Sequence, residues 1–232
     1  MRKVGSVSFP FAIFDIDGTL VDSRAMITAC MDAAFEGAGF SAPGYEKTRR
    51  VIGLSLGAGL KYLAPEADDA THTLILESYR DAFFTMRSDP SLAAPLYDGA
   101  AELLASIAAD GWVLGIATGK SRRGLDAMMA QFGWRSLFAA DFCADDGPGK
   151  PHPHMVLENI RVAGADPRNT VVIGDSEHDM AMAVAAGVQA IGVTWGFGTR
   201  AEMEAVGARV VVDTMTTLGE ALERFSSTKS LE

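Results

Sequence analysis

Asp15 and Asp17 stand two residues apart in the run Phe-Asp-Ile-Asp-Gly-Thr-Leu, Phe14 to Leu20, where an apolar stretch meets a glycine. Phe9 to Phe14 is mostly apolar, as a strand buried on both faces would be, so Asp15 falls near its carboxyl end and Gly18 can start a tight turn. An isolated Asp-x-Asp reads best as two solvated loop acids. The following Gly-Thr-Leu argues against that here. Paired carboxylates at the end of a buried element suit nucleophilic and acid–base chemistry, or the holding of a hard cation.

Such side chains need a rigid frame. Trp112 to Ala117, Asp141 to Ala144, Val171 to Ile173, Gln189 to Val193 and Arg209 to Val212 read as successive strands. Helices are predicted between them at Arg122 to Phe132, His154 to Ala163, Glu177 to Ala186 and Arg200 to Val206, preceded by one over Ala100 to Ala109 that stops at Gly111. Ser121 and Thr199 read as N-caps, Glu202 as the partner in a capping box, and Gly164, Gly187 and Gly207 as C-terminal stops. This alternation predicts an α/β fold, a doubly wound parallel sheet with helices on both faces. Between Asp22 and about Ala94 the pattern is wholly helical, with helices over Ser23 to Ala38 and Asp68 to Met86 and a glycine-spaced stretch at Gly53, Gly57 and Gly59. The expected division is a core made of residues 1–21 and 95–232, with residues 22–94 inserted as a helical cap.

The geometric consequence is that ligands bind beyond the carboxyl ends of parallel strands. Asp15 ends the first strand, Thr118 ends the second, Lys150 follows the third and Asp175 ends the fourth. Four chemically useful side chains thus fall on one rim although they are spread widely along the chain.

Composition sets the outer limits. The 232 residues, 48% hydrophobic, suffice for one large domain or a core with an insertion. A net charge of −10 repels nucleic acid and anionic membranes over long range, so neither is an expected partner, whereas a small anion can still bind at a local cation. Cys30 and Cys143 form neither a CxxC pair nor a disulfide framework, which favours a reducing compartment, the cytoplasm by default. Arg2 and Lys3 precede an apolar run too short for an export signal, and no stretch approaches the roughly 20 residues of a membrane helix. Ser226 to Glu232 is polar and without pattern; it is read as a functionless tail.

Four segments, Asp15-Ile16-Asp17-Gly18-Thr19, Ala117-Thr118-Gly119, Lys150-Pro151 and Gly174-Asp175-Ser176-Glu177-His178-Asp179, resemble in order the four motifs of the haloacid dehalogenase superfamily. The resemblance extends over nearly the whole chain, and the helical insertion is similar to that superfamily's mobile cap. The stretch Ala186 to Gly198 resembles phosphoglycolate phosphatases and their near relatives.

Phosphoryl transfer requires charge compensation on the phosphate oxygens, an in-line nucleophile and a proton for the leaving oxygen. The resemblance implies Asp15 as the nucleophile, forming an aspartyl phosphate, and Asp17 as general acid and then general base. Thr118 can hydrogen-bond a phosphate oxygen, Gly119 belongs to the same phosphate loop, and Lys150 can neutralise charge. Clustered carboxylates repel one another unless a hard cation sits among them, and Mg²⁺ prefers oxygen ligands. The family implies Asp15, Asp175 and the backbone carbonyl of Asp17 as those ligands. Asp179, four residues past Asp175, faces the same way on a helix and is expected in a supporting shell. In the cap, Arg49 and Arg50, followed by Gly53-Leu54, are the expected substrate contacts.

The expected function is Mg²⁺-dependent hydrolysis of a small phosphorylated metabolite, with 2-phosphoglycolate the leading candidate, by a monomer or homodimer. A phosphomutase similar to β-phosphoglucomutase and an inorganic pyrophosphatase need the same core. A catalytically idle phosphate-binding module is the alternative from a different class. Asp17 argues against a dehalogenase, and the surroundings of Lys47 and Lys61 do not match the cap lysine of phosphonate hydrolases. Three other features carry no second cofactor. Gly115 to Ser121 is one residue short of a Walker loop; His152, His154 and His178 lack a cysteine set or an HExxH; Met128, Met129, Met180 and Met182 read as core.

Overall fold

The computed structural model describes residues 9–229. Six strands, β1 (Phe11–Phe14), β2 (Val113–Thr118), β3 (Ala140–Cys143), β4 (Thr170–Gly174), β5 (Gln189–Val193) and β6 (Val210–Val212), form one sheet in the order β3-β2-β1-β4-β5-β6. All five pairings are parallel. Side chains alternate along a strand, so β1 feeds two cores at once. Ala12 and Phe14 join one with Leu104, Leu125 and Leu222, whereas Phe11 and Ile13 join the other with Met155, Met180 and Met203. The predicted doubly wound α/β sheet is therefore present. Its strand order reverses between β1 and β4, and the crevice outside the carboxyl ends at such a reversal is where ligands bind.

Helices α1 (Arg24–Gly37), α2 (Gly44–Thr48), α3 (Leu56–Leu63) and α4 (Asp69–Met86) all fall between β1 and β2, with α5 (Ala100–Ala109) just before β2. Helices α1, α3 and α4 share a core of their own, built on Met31, Phe35, Leu60 and Ile75 with Val51 from the turn before α3. The chain leaves and re-enters the sheet side by side. Asp22 N–H donates to the Pro95 carbonyl at 2.8 Å, and Tyr97 N–H donates to that of Leu20 at 3.0 Å.

The sheet is covered by α5, α6 (Arg122–Gln131), α7 (His154–Ala163), α8 (Glu177–Ala185), α9 (Arg200–Ala205) and α10 (Met215–Lys229). Ser121 caps α6, and Thr199 with Glu202 forms the predicted capping box of α9. Gly164, Gly187 and Gly207 all take positive φ just past their helices.

Some boundaries move. Strand β1 begins at Phe11, not Phe9, and β2 begins at Val113 rather than Trp112 and closes on Thr118, as the placing of Thr118 at its end requires. Gly57 and Gly59 of the glycine-spaced stretch lie inside α3, and a Cβ on Gly59 would press within 3.3 Å of Val51. Helix α10 was not expected at all, and Ser226 belongs to it rather than to an unpatterned tail. Leu218 and Leu222 on that helix are fully buried under the sheet, a tertiary reason for a segment of low local signal to be helical. The remainder of the expected tail, residues 230–232, and Arg2 and Lys3 lie outside the described residues. No helix among the described residues is long and apolar enough to cross a membrane.

Candidate active site

The register of the sheet determines which side chains share the rim. Phe14 pairs with Ile116 on one side and Ile173 on the other, so Asp15 emerges level with Ala117 and Gly174. The Asp15 N–H still donates to the Ile173 carbonyl at 2.9 Å, which fixes the backbone of the first acid to the sheet. Gly18 then turns with φ +83°, a region that favours glycine, and a Cβ there would collide with the Asp175 carboxylate.

Asp15 is 2% exposed and its Oδ1 lies 2.7 Å from Lys150 Nζ. The same ammonium lies 2.6 Å from Asp179 Oδ1, so one buried cation bridges two buried carboxylates. Burial is the largest influence on the Asp15 carboxyl and pushes it up to about 7; Lys150 pulls it down, while Asp179 and Asp17 add to the rise. Burial opposes the charge on Lys150, yet Asp15 and Asp179 more than offset it and hold the ammonium above the ordinary lysine value.

Asp175 leaves β4 and is 1% exposed. Its Oδ1 accepts a hydrogen bond from Thr19 Oγ1 at 3.0 Å and its Oδ2 one from the Phe197 N–H at 2.7 Å. Burial first, then the charges of Asp179 and Asp15, raise its carboxyl well above the usual range. It is not a helix cap. Ser176 and Asp179 form the capping box of α8, with Ser176 Oγ donating to Asp179 Oδ2 at 2.5 Å, which leaves the Asp175 side chain for the rim. Gly174 makes this possible, since a Cβ there would collide with Asp179.

Oxygens of Asp15, Asp175 and Asp179 lie within 4.8 Å of one another, and Asp15 Oδ2 is a buried oxygen with no hydrogen-bond donor among the described residues. An all-carboxylate cluster with an orphaned oxygen fits a hard divalent cation such as Mg²⁺. The cluster also includes Asp179, which the motif spacing predicted only as a supporting residue.

Thr118 closes β2 fully buried, and its Oγ1 accepts a 3.4 Å hydrogen bond from the Lys120 N–H. Gly119 follows beneath the inserted segment, where a Cβ would collide with the Gly53 and Leu54 carbonyls. Asp17 Oδ1 lies 2.8 Å from Lys120 Nζ. Lys120 is a rim residue that the motifs did not single out, since it falls in the imperfect Walker resemblance. Its position directly after Thr118-Gly119 was the available signal.

The two arginines expected to contact substrate diverge. Arg49 Nη1 donates to the Phe197 carbonyl at 3.2 Å and reaches Glu202 at 3.5 Å, while its Nε meets Glu46 at 3.1 Å. The Arg50 side chain is exposed, and its carbonyl meets His178 Nε2 at 3.0 Å. Among the described residues, no hydrogen bond or ion pair joins either guanidinium to Asp15, Asp17, Thr118 or Lys150. The segment they flank does cover the rim: Gly53 approaches Ser176 and His178, and Ser55 approaches Gly149. His178 thus contacts the inserted helical segment, whereas the His154 N–H donates to His152 Nδ1 at 3.1 Å and its ring meets the Asp146 carbonyl.

Comparison with known proteins agrees with this geometry. The family model for haloacid dehalogenase-like hydrolases matches residues 12–193. A Dickeya dadantii protein named "Probable phosphatase IndB" is 34% identical, over 94% of this chain and 96% of its own. A phosphoglycolate phosphatase of Agrobacterium fabrum is 30% identical over 92% of each. In fold, the crystal structure of a predicted phosphatase from Clostridium acetobutylicum superposes with a TM-score of 0.82 at 23% identity, covering 94% of this chain and 99% of the other. By its motif-bearing rim and by the match of most of its length, this chain belongs to the haloacid dehalogenase-like hydrolase family.

Proposed function

We propose that this enzyme is a Mg²⁺-dependent phosphatase that hydrolyses a small phosphomonoester, with 2-phosphoglycolate the leading candidate, through an aspartyl phosphate on Asp15. The observation that carries the reading is Asp15 itself. A buried carboxylate has one oxygen held by Lys150 and the other without a donor, and a second carboxylate, Asp17, stands two residues on. The naming of the Agrobacterium relative supports the substrate.

In this reading the phosphate enters between Thr118, the Gly119 amide and Lys150, whose donors hold its nonbridging oxygens. Asp15 attacks phosphorus in line, and the bond to the leaving alkoxide breaks as Asp17 gives that oxygen a proton. Asp17 then takes a proton from water, which attacks the aspartyl phosphate and releases inorganic phosphate and the free Asp15 carboxylate. Lys120, 2.8 Å from Asp17, keeps that side chain from swinging away. Asp15, Asp175 and the Asp17 carbonyl would hold Mg²⁺, which when bound supplies charge compensation between carboxylates and phosphate. Residues 1–21 and 95–232 form the catalytic core in this account. Residues 22–94 form the cap, whose Gly53-Leu54 turn excludes water and limits substrate size.

The test is a kinetic panel with purified enzyme and MgCl₂: 2-phosphoglycolate, p-nitrophenyl phosphate, sugar phosphates and pyrophosphate. The expected result is highest kcat/KM for 2-phosphoglycolate. A preference for pyrophosphate or for phosphate transfer within a sugar phosphate refutes the substrate; no turnover of any ester by folded, metal-loaded protein refutes the phosphatase.

A further inference from the structure

We propose that Arg49, assisted by Arg24, is a positioning residue that couples closure of the inserted helical segment to the seating of Asp175. The proposal deepens the phosphatase reading, since it takes Asp175 as a ligand of the cation.

The loop Trp195-Gly196-Phe197-Gly198 leaves β5 on the rim and grips Asp175 from one side. The Phe197 N–H donates to Asp175 Oδ2 at 2.7 Å and the Gly198 N–H donates to the Asp175 carbonyl at 3.1 Å. A Cβ at Gly196 would collide with the Asp175 carboxylate, and one at Gly198 with its carbonyl, so only glycine permits this approach. Two glycines in four residues leave the backbone with little stiffness of its own.

The Phe197 side chain is buried, and the loop carbonyls are held from the helical segment. Arg24 Nη2 donates to the Trp195 carbonyl at 3.2 Å and to that of Gly196 at 3.5 Å, and Arg49 Nη1 donates to the Phe197 carbonyl at 3.2 Å. Three consecutive carbonyls are thus occupied by arginines of the insertion, while the N–H of Phe197 holds the acid. Arg49 is braced between Glu46 of its own segment and Glu202 of the core, and the Arg24 guanidinium lies 5.8 Å from the Tyr45 ring centroid. On the core side, Tyr97 Oη reaches the Trp195 carbonyl at 3.3 Å and Trp195 Nε1 donates to the Thr19 carbonyl at 3.0 Å, so the start of the loop stays anchored when the insertion moves. Among the described residues, Arg49 alone donates to the Phe197 carbonyl. Movement of the insertion therefore loosens the loop at the residue that orients Asp175. Linkage makes the effect reciprocal: a cation at Asp175 favours the closed arrangement by the factor by which closure favours the cation.

The experiment measures Mg²⁺ binding without turnover. Metal-free wild type, Arg49→Met, Arg49→Lys, Arg24→Met and Asp175→Asn are titrated with MgCl₂, the midpoint being read from the rise in melting temperature, and hydrogen exchange is followed over residues 195–198. Arg49→Met is expected to weaken Mg²⁺ about 5- to 20-fold and to speed exchange of that loop. Arg49→Lys, which keeps a donor for the Phe197 carbonyl, should recover much of the loss, and Arg24→Met should show a smaller one. If Arg49→Met does not fold, Arg24→Met and Arg49→Lys decide, and wild-type affinity in both overturns the coupling. Wild-type Mg²⁺ affinity in a folded Arg49→Met overturns it while leaving the phosphatase reading intact, provided Asp175→Asn abolishes binding. A wild type that binds no Mg²⁺ overturns both.

Discussion

Lys150→Met isolates the electrostatics of the site. Methionine keeps the length of the side chain and removes its charge, so Asp15, Asp175 and Asp179 are left buried together without the ammonium that lies 2.7 and 2.6 Å from two of them. Removing one partner of a buried ion pair costs about 3–5 kcal/mol. For a chain of this length that corresponds to a melting temperature lower by about 6–20 °C. The loss should depend on pH, and its sign follows from the direction of each shift. In the wild type the Asp15 carboxyl is raised from 3.8 to about 7, so the folded state holds that proton more tightly than the unfolded chain. The stabilisation is full below about 3.8 and is lost as pH rises through 7, an upper bound of about 4 kcal/mol. Lys150 is also raised, so its contribution is complete below the ordinary lysine value and constant between pH 5 and 8. Without it Asp15 climbs further and the falling limb extends beyond pH 7. Thermal and urea unfolding in chelator at pH 5 and pH 8 should therefore show the larger deficit at pH 8, partly restored by MgCl₂. Equal deficits at the two pH values, or a deficit below about 1 kcal/mol, refute the account of Lys150 as the charge that holds the cluster together.

Asp15→Asn should lower kcat at least about a thousandfold with folding retained, and rapid-quench labelling should trap no acyl phosphate; near-normal labelling removes Asp15 as nucleophile. Asp17→Asn should lower kcat by about 10²–10⁴ for esters with poor leaving groups and less in the burst phase of an activated aryl phosphate, so equal losses refute the acid role. Chelation should abolish turnover and MgCl₂ restore it. At about a hundred times its Kd, Mg²⁺ should stabilise the fold by about 2.7 kcal/mol, or about 5–10 °C, and no shift in melting temperature counts against a cation among the carboxylates.

The sequence made the sheet legible because each strand carried a local signature. β1 and β4 are apolar on both faces, and helices α6, α7 and α9 carry their own caps or stops. The rim residues were legible for the same reason: Asp15, Thr118 and Asp175 lie at or just past strand ends, so recognising the strands already locates the side chains. Helix α10 was not legible, because what makes it helical is the burial of Leu218 and Leu222 beneath a sheet whose order no local pattern specifies.

The same distinction separates the residues that were foreseen from those that were not. Lys120 meets Asp17 across a gap of more than a hundred residues, and that pairing exists only because β2 lies beside β1 in parallel register. Arg49 carried the right charge for an anionic substrate, but its surroundings, Glu46 three residues back and Glu202 with the Phe197 carbonyl from the core, are tertiary facts. A guanidinium held by two carboxylates and a carbonyl is a poor free anion receptor and a good strut. Arg50, exposed on the same turn, keeps its charge available to solvent. Of the two arginines, Arg50 is the better placed to meet a substrate carboxylate. Arg50→Ala should then raise KM for 2-phosphoglycolate more than for p-nitrophenyl phosphate, whereas Arg49→Ala should act first on the Mg²⁺ requirement. An Arg49→Ala enzyme with an unchanged Mg²⁺ requirement and a raised KM confined to the anionic substrate would return that residue to direct substrate binding.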